Sequence, residues 1–169
     1  YYKSADPEVI LSYIDLKKTE FLKLLPELKE KQNKKQIENV EFFKSFKGIK
    51  IIMIELLKTA NSGDILRTFS VENPEQYKEA RENVFRTTKQ IAKEKKIKMR
   101  GLFHEKTKYV RTKTSIMQKR YLNIPMPPNT MIINDKVAII SWREEPSGIL
   151  IHSKDIAQIY KEFFEHMWK

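Results

Sequence analysis

Apolar residues in the opening stretch fall at Ile10, Ile14, Phe21, Leu24 and Leu28, a 4-3-4-3-4 rhythm interrupted at Lys17. That rhythm predicts an α-helix with one apolar seam about three heptads long. Asp6 supplies an N-cap oxygen, and Pro7 suits the first helical position because its missing N–H would be unpaired there anyway. The seam suits pairing with a second copy of the helix, and it would serve almost as well to pack the helix on its own domain. Pro26 is expected to kink the helix, and the polar run 29–35 to fray.

Further along, the period changes repeatedly. Val40, Phe42 and Phe43 read as a short strand, Gly48 as a break, and Ile49, Ile52, Met53, Leu56 and Leu57 as a helix that ends at Asn61-Ser62-Gly63-Asp64. Residues 65–70 are strand-like. Asn73-Pro74-Glu75-Gln76 is a helix start, with Tyr77, Ala80, Val84, Ile91 and Ala92 on one face. Residues 97–103 alternate charged and apolar, residues 104–118 have no clear period, and residues 120–124 form a strand closed by Pro125, Pro127 and Pro128. Residues 129–142 make a hairpin with a polar tip at Asn134-Asp135-Lys136. Glu144 to Gly148 is a turn, residues 148–152 a strand, and Ser153 caps a last helix with Ile156, Tyr160, Phe163 and Met167 turned inward. A long helix, then β-α-β-α-β, then a β-rich meander and a helix, predicts an α/β sheet flanked by helices.

Charge sharpens this picture. The chain carries a net charge of +11, and Lys89 to Arg120 holds twelve basic residues against Glu94 and Glu105. Nearly all of the excess sits in that block, which suits phosphates, acidic ligands or nucleic acid. A solvated lysine-rich surface explains it as well, because only seven of the 33 basic residues are Arg and base readout favours Arg forks. Zero Cys excludes disulfides and thiolate metal sites and fits a cytoplasmic protein. No apolar run is long enough to cross a membrane, and no signal peptide is visible. The chain opens at Tyr1 rather than Met, so a piece of a longer protein is expected.

Catalytic groupings are scarce. His104, His152 and His166 lack zinc-ligand spacing, and neither a P-loop nor a nucleophile elbow is present. No cofactor or metal is expected, and no residue is assigned a catalytic role. His104-Glu105-Lys106 begins the HxKxxxxD signature of phospholipase D, but its Asp position holds Arg111. His152-Ser153-Lys154 fails at Ile159. With Asp135 as the signature Asp, the Lys position is Thr130 and the His position is Pro128. The strand-Asp-strand frame survives there without nucleophile or phosphate clamp. Asp135 then reads as a turn residue.

Three stretches resemble the effector domain of TrmB-like transcriptional regulators of archaea and bacteria. Residues 5–30 are similar to that family's helical connector, and residues 38–58 to its first strand, glycine and helix. Residues 129–142 with 148–168 are similar to its terminal hairpin and helix, including the spacing of Phe164 and Trp168. The resemblance implies a catalytically inactive phospholipase-D-like fold over 36–169, behind a connector and dimerisation arm over 1–35. It also implies an upstream winged helix that contacts DNA, a homodimer, and sensing of a ligand or partner. The chain reaches Lys169 without the sugar-binding domain of sugar-sensing members, which argues against a sugar effector. Lys98, Arg100, Lys106, Lys108, Arg111 and Lys113 are the candidates for a small anionic ligand, and strand alternation puts Lys98 and Arg100 on one face. Phe103, Tyr109 and Tyr121 would either stack on a ligand ring or belong to the core. Ile10, Ile14, Phe21, Leu24 and Leu28 are the dimerisation candidates. Competing readings are a phospholipase-D-type phosphodiesterase or nuclease using His104, a stand-alone nucleic-acid-binding module, and a scaffold that only dimerises.

Overall fold

The computed structural model describes residues 7–32, 38–69, 84–110, 116–127 and 129–169, and the chain divides into two units, Tyr1–Ile37 and Glu38–Lys169. The described residues of the first unit form one helix, α1 (Pro7–Gln32). It runs on through Pro26, whose absent N–H leaves the Leu22 carbonyl without its usual partner. Lys17 sits in the seam, but its ammonium turns aside to Glu20 at 2.9 Å and over the Tyr13 ring at 5.7 Å. All five seam residues are exposed, as are Val9, Leu11, Tyr13, Leu16 and Leu22.

The second unit is a seven-stranded sheet flanked by helices. Its elements are β1 (Asn39–Lys44), α2 (Ser45–Lys58), β2 (Ile65–Phe69), α3 (Arg86–Glu94), β3 (Lys98–His104), a 3-10 helix (Glu105–Val110), β4 (Gln118–Leu122), β5 (Thr130–Ile133), β6 (Lys136–Ser141), β7 (Ser147–His152) and α4 (Lys154–Trp168). Spatial order is β1-β7-β6-β5-β2-β3-β4. Strands β2, β3 and β4 are parallel to each other, and every other pairing is antiparallel.

Alternation along the strands feeds two cores. Leu66, Met99, Met131, Ile133, Ala138, Ile140 and Leu150 meet Ile49, Ile52, Met53, Leu56 and Leu57 of α2 on one face. Phe69, Leu102, Ile132 and Val137 meet Ala157 and Phe164 of α4 on the other. Ser153 caps α4 as its spacing predicts, accepting the Ile156 N–H at 3.3 Å.

Four local expectations change. Gly48 does not break the chain: α2 starts at Ser45, and a Cβ at Gly48 would lie 3.1 Å from the Phe43 Cβ, so the glycine allows close approach of β1. The 120–124 strand begins earlier, at Gln118, and stops at Leu122. On α4 it is Phe164 that is fully buried, while Phe163 is 44% exposed, its ring tilted against Phe69 at 5.7 Å. The stretch without a clear period begins as the 3-10 helix. The expected helix start at Asn73-Pro74 lies outside the described residues.

Candidate functional site

Strand register places Thr130 and the basic residues Arg67, Lys98, Arg100 and Arg120 on one face of the sheet, the face that α4 covers. Partner residues form rows across the strands, and side chains within a row share a face. One row runs Ile139, Thr130, Phe69, Leu102, Arg120 from β6 to β4. The next runs Val137, Ile132, Arg67, Arg100, Gln118. This face is therefore apolar toward β1, where Val40 and Phe42 are each 61% exposed, and basic toward β4.

Thr130, at the Lys position of the signature, is 1% exposed between Phe69 and Ile139. Pro128, at the His position, lies outside the described residues. Asp135 is at the far end of β5, in the turn, where its carbonyl accepts the Ser153 N–H at 2.9 Å. Asn134 carries the turn's positive φ of 52°, a conformation Asn tolerates better than most residues. Its side-chain amide donates to the Asp64 carboxylate at 2.8 Å. The backbone N–H of Asn61 and this amide hold the Asp64 pKa below its ordinary value. The polar tip thus ties the hairpin to the start of β2 and to the cap of α4.

His104 ends β3, and its Nδ1 accepts the Lys106 N–H at 3.2 Å. His152 faces Glu41, with 3.4 Å between Nε2 and Oε1. Among the described residues no group of His, Asp and Glu is placed to hold a metal ion.

The basic edge is built from β2, β3, β4 and the last turn of α4. Glu165 accepts from Arg67 Nε at 2.6 Å and from Arg100 Nη1 at 3.3 Å. Trp168 lies under two guanidiniums, with Arg100 5.5 Å and Arg120 5.2 Å from the ring centroid. Phe164, one helical turn earlier, stacks on the same indole at 5.5 Å. Lys98 and Arg100 share this face, as alternation predicts, and Lys98 is exposed.

The remaining candidates separate from this cluster. Lys106 and Lys108 are exposed on the 3-10 helix, and Arg111 and Lys113 lie outside the described residues. Phe103 and Tyr121 pack on each other at 5.7 Å on the opposite side of the sheet from Arg100, so they do not interleave with the basic residues. Tyr109 is 95% exposed. Arg67, Arg120, Glu165 and Trp168 escaped sequence reasoning, although the Phe164–Trp168 spacing pointed to that end of α4.

Two lysines serve the other face. The Lys95 ammonium donates to the carbonyls of Leu57, Lys58 and Ala60 at 2.9, 2.6 and 3.3 Å, which satisfies the C-terminus of α2. Lys136 is 5% exposed and donates to the Glu55 carbonyl at 2.6 Å. Burial holds its pKa below the ordinary lysine value of 10.5, against the pull of Asp135 and Glu55. Because the folded pKa is the lower one, the unfolded chain binds more protons between it and 10.5, and this group's penalty on stability fades as pH rises through that window. We expect the urea midpoint of the native chain to gain on that of Lys136→Met between neutral pH and pH about 10. A difference that stays constant over this range would show that Lys136 titrates normally.

No protein-family profile and no curated protein matches this sequence. Solved structures do. The archaeal chromatin protein TrmBL2, whose structure shows a novel mode of DNA binding, superposes with a TM-score of 0.51 at 16% identity over 96% of this chain and 62% of its own. Nuc from Salmonella typhimurium, a phospholipase D family member, gives 0.52 at 12% identity over 78% of this chain and 94% of its own. NucT from Helicobacter pylori gives 0.52 at 12% identity, with 78% and 96% covered. The fold is therefore phospholipase-D-like, and the chain spans about 62% of the length of TrmBL2. Among the described residues no helix is long and apolar enough to cross a membrane.

Proposed function

We propose that this chain is a non-enzymatic sensing and dimerisation domain of a DNA-binding transcriptional regulator. The observation that carries the reading is Thr130, 1% exposed in the signature slot where a phosphodiesterase needs a phosphate-clamping lysine. The His104 contact supports it. The Nδ1 of His104 already accepts the Lys106 N–H. The likeness to TrmBL2 over 96% of the chain supports a DNA-linked role, and the exposed apolar side chains of α1 support self-association. The DNA-reading winged helix belongs to sequence upstream of Tyr1, and the protein works in the cytoplasm.

The direct test is hydrolysis of a chromogenic phosphodiester and of single- and double-stranded DNA, with and without divalent cations. We expect rates equal to those without protein. Turnover that disappears in His104→Ala would overturn the reading and establish the phosphodiesterase alternative.

A further inference from the structure

We propose that Lys98, Arg100 and Arg120 form a binding site for a phosphate ester at the β4 edge of the sheet. The inference rests on and deepens the sensing part of the function proposed above, by naming the site and the chemistry it accepts.

The first argument is charge. Arg67, Arg100, Arg120 and Lys98 share one face of three neighbouring strands, and Glu165 is the carboxylate that pairs with them. Glu165 gives its oxygens to Arg67 and Arg100. Among the described residues Arg120 and Lys98 meet no carboxylate, and both are exposed. Four cations against one anion leave about three uncompensated charges, more than a carboxylate ligand would balance and well suited to a phosphate monoester dianion or to consecutive phosphodiesters.

The second argument is geometry. A guanidinium laid on an aromatic face keeps its N–H donors in its own plane, at the rim, where a tetrahedral oxyanion can reach them. The Arg100 and Arg120 guanidinium carbons lie 5.5 and 5.2 Å from the Trp168 ring centroid, and Phe164 stacks on the same indole. The ring attracts the cations without neutralising them. The arginines are thus held in place before a ligand arrives, which lowers the entropic cost of binding.

The third argument is position. Arg120 lies in the same row as Thr130 but three strands away, with Phe69 and Leu102 fully buried between them. At about 4.8 Å per strand the two are roughly 14 Å apart. This site is not the old catalytic slot under another name. It opens at an edge strand, and exposed Lys106 and Lys108 follow directly after β3.

Titration calorimetry at two salt concentrations tests the proposal. The probes are a nucleoside monophosphate, a short single-stranded oligonucleotide and a duplex of the same sequence. We expect the native chain to bind at least one of them, and Arg120→Ala, an exposed change, to weaken that binding about ten- to hundred-fold with the melting temperature unchanged. Arg120→Lys should recover only part, because an ammonium lacks the planar fork. Binding of the monophosphate identifies a free phosphate ester as the source. Binding of the oligonucleotide or duplex alone, with a salt slope reduced by about one in Arg120→Ala, identifies a nucleic-acid backbone. The proposal is overturned if no probe binds, or if Arg120→Ala and Lys98→Ala bind like the native chain. That failure would leave the regulator reading standing as long as the chain is dimeric and hydrolyses no phosphodiester.

Discussion

Thr130→Lys, the change that restores the missing signature lysine, is expected to destabilise the domain by about 3–5 kcal/mol and to create no activity. Thr130 is 1% exposed, and its row neighbours Phe69 and Leu102 are fully buried. A lysine there must take its ammonium out of water. Glu165, the carboxylate of the basic edge, is engaged with Arg67 and Arg100. The longer side chain must also displace packed neighbours, which adds strain. For a domain of this size such a loss lowers the melting temperature by about 10–20 °C. Thr130→Val, nearly isosteric, should cost no more than about 1–2 kcal/mol, because it removes one hydroxyl without adding a charge. Thermal melts followed by circular dichroism decide the matter. A lysine variant melting within a degree or two of the native chain would mean that the slot still has room for a catalytic side chain. The support it lends to a non-enzymatic role would then be gone.

Periodicity made most of the architecture legible. The apolar hairpin was legible from its two short runs around a polar turn, the strand 98–104 from its alternation, and the last helix from its Ser153 cap and helical spacing. What escaped was whatever depends on register between distant strands. Lys98 and Arg100 were readable as one face because they are two apart on one strand. Arg67 and Arg120 join that face only through the pairings Arg67↔Arg100 and Leu102↔Arg120, which no single stretch encodes. Phe103 and Tyr121 looked interleaved with the basic residues along the chain, yet alternation sends them through the sheet. Lys95 counted toward the basic block, but three carbonyls at the end of α2 hold its ammonium. Net charge in a window says where cations are numerous. Which of them remain uncompensated is a tertiary fact.

The division of the α4-covered face follows from the same register. Its β1 side is apolar, its centre is closed by Phe69, Leu102 and Phe164, and its β4 side is basic. On this phospholipase-D-like fold the hairpin position Thr130 is buried in the core, and Arg120 and Lys98 lie toward the β4 edge. The Thr130 position and the basic edge are separated by the buried side chains of Phe69 and Leu102.

A chain carrying Phe21→Glu and Leu24→Glu is expected to sediment as a monomer at concentrations where the native chain is a dimer. Ile10, Ile14, Phe21, Leu24 and Leu28 line one stripe of α1 and are 46–62% exposed in the single chain. Full burial of a large apolar side chain contributes about 1.5–3 kcal/mol, and these are half exposed, so five per helix in two helices yield on the order of 10 kcal/mol. Association costs about 4–15 kcal/mol in lost freedom, so the seam alone is close to balance and two buried carboxylates tip it decisively. Lys17 gives the opposite control. It occupies the seam but turns out to Glu20 and the Tyr13 ring, leaving a gap in the apolar stripe. Lys17→Leu fills that gap and should tighten the dimer, by about ten-fold if the new side chain is well buried. Sedimentation equilibrium across a concentration series reads both changes. If the native chain is monomeric throughout, or Lys17→Leu and the double glutamate variant move the constant in the same direction, α1 does not pair through this seam.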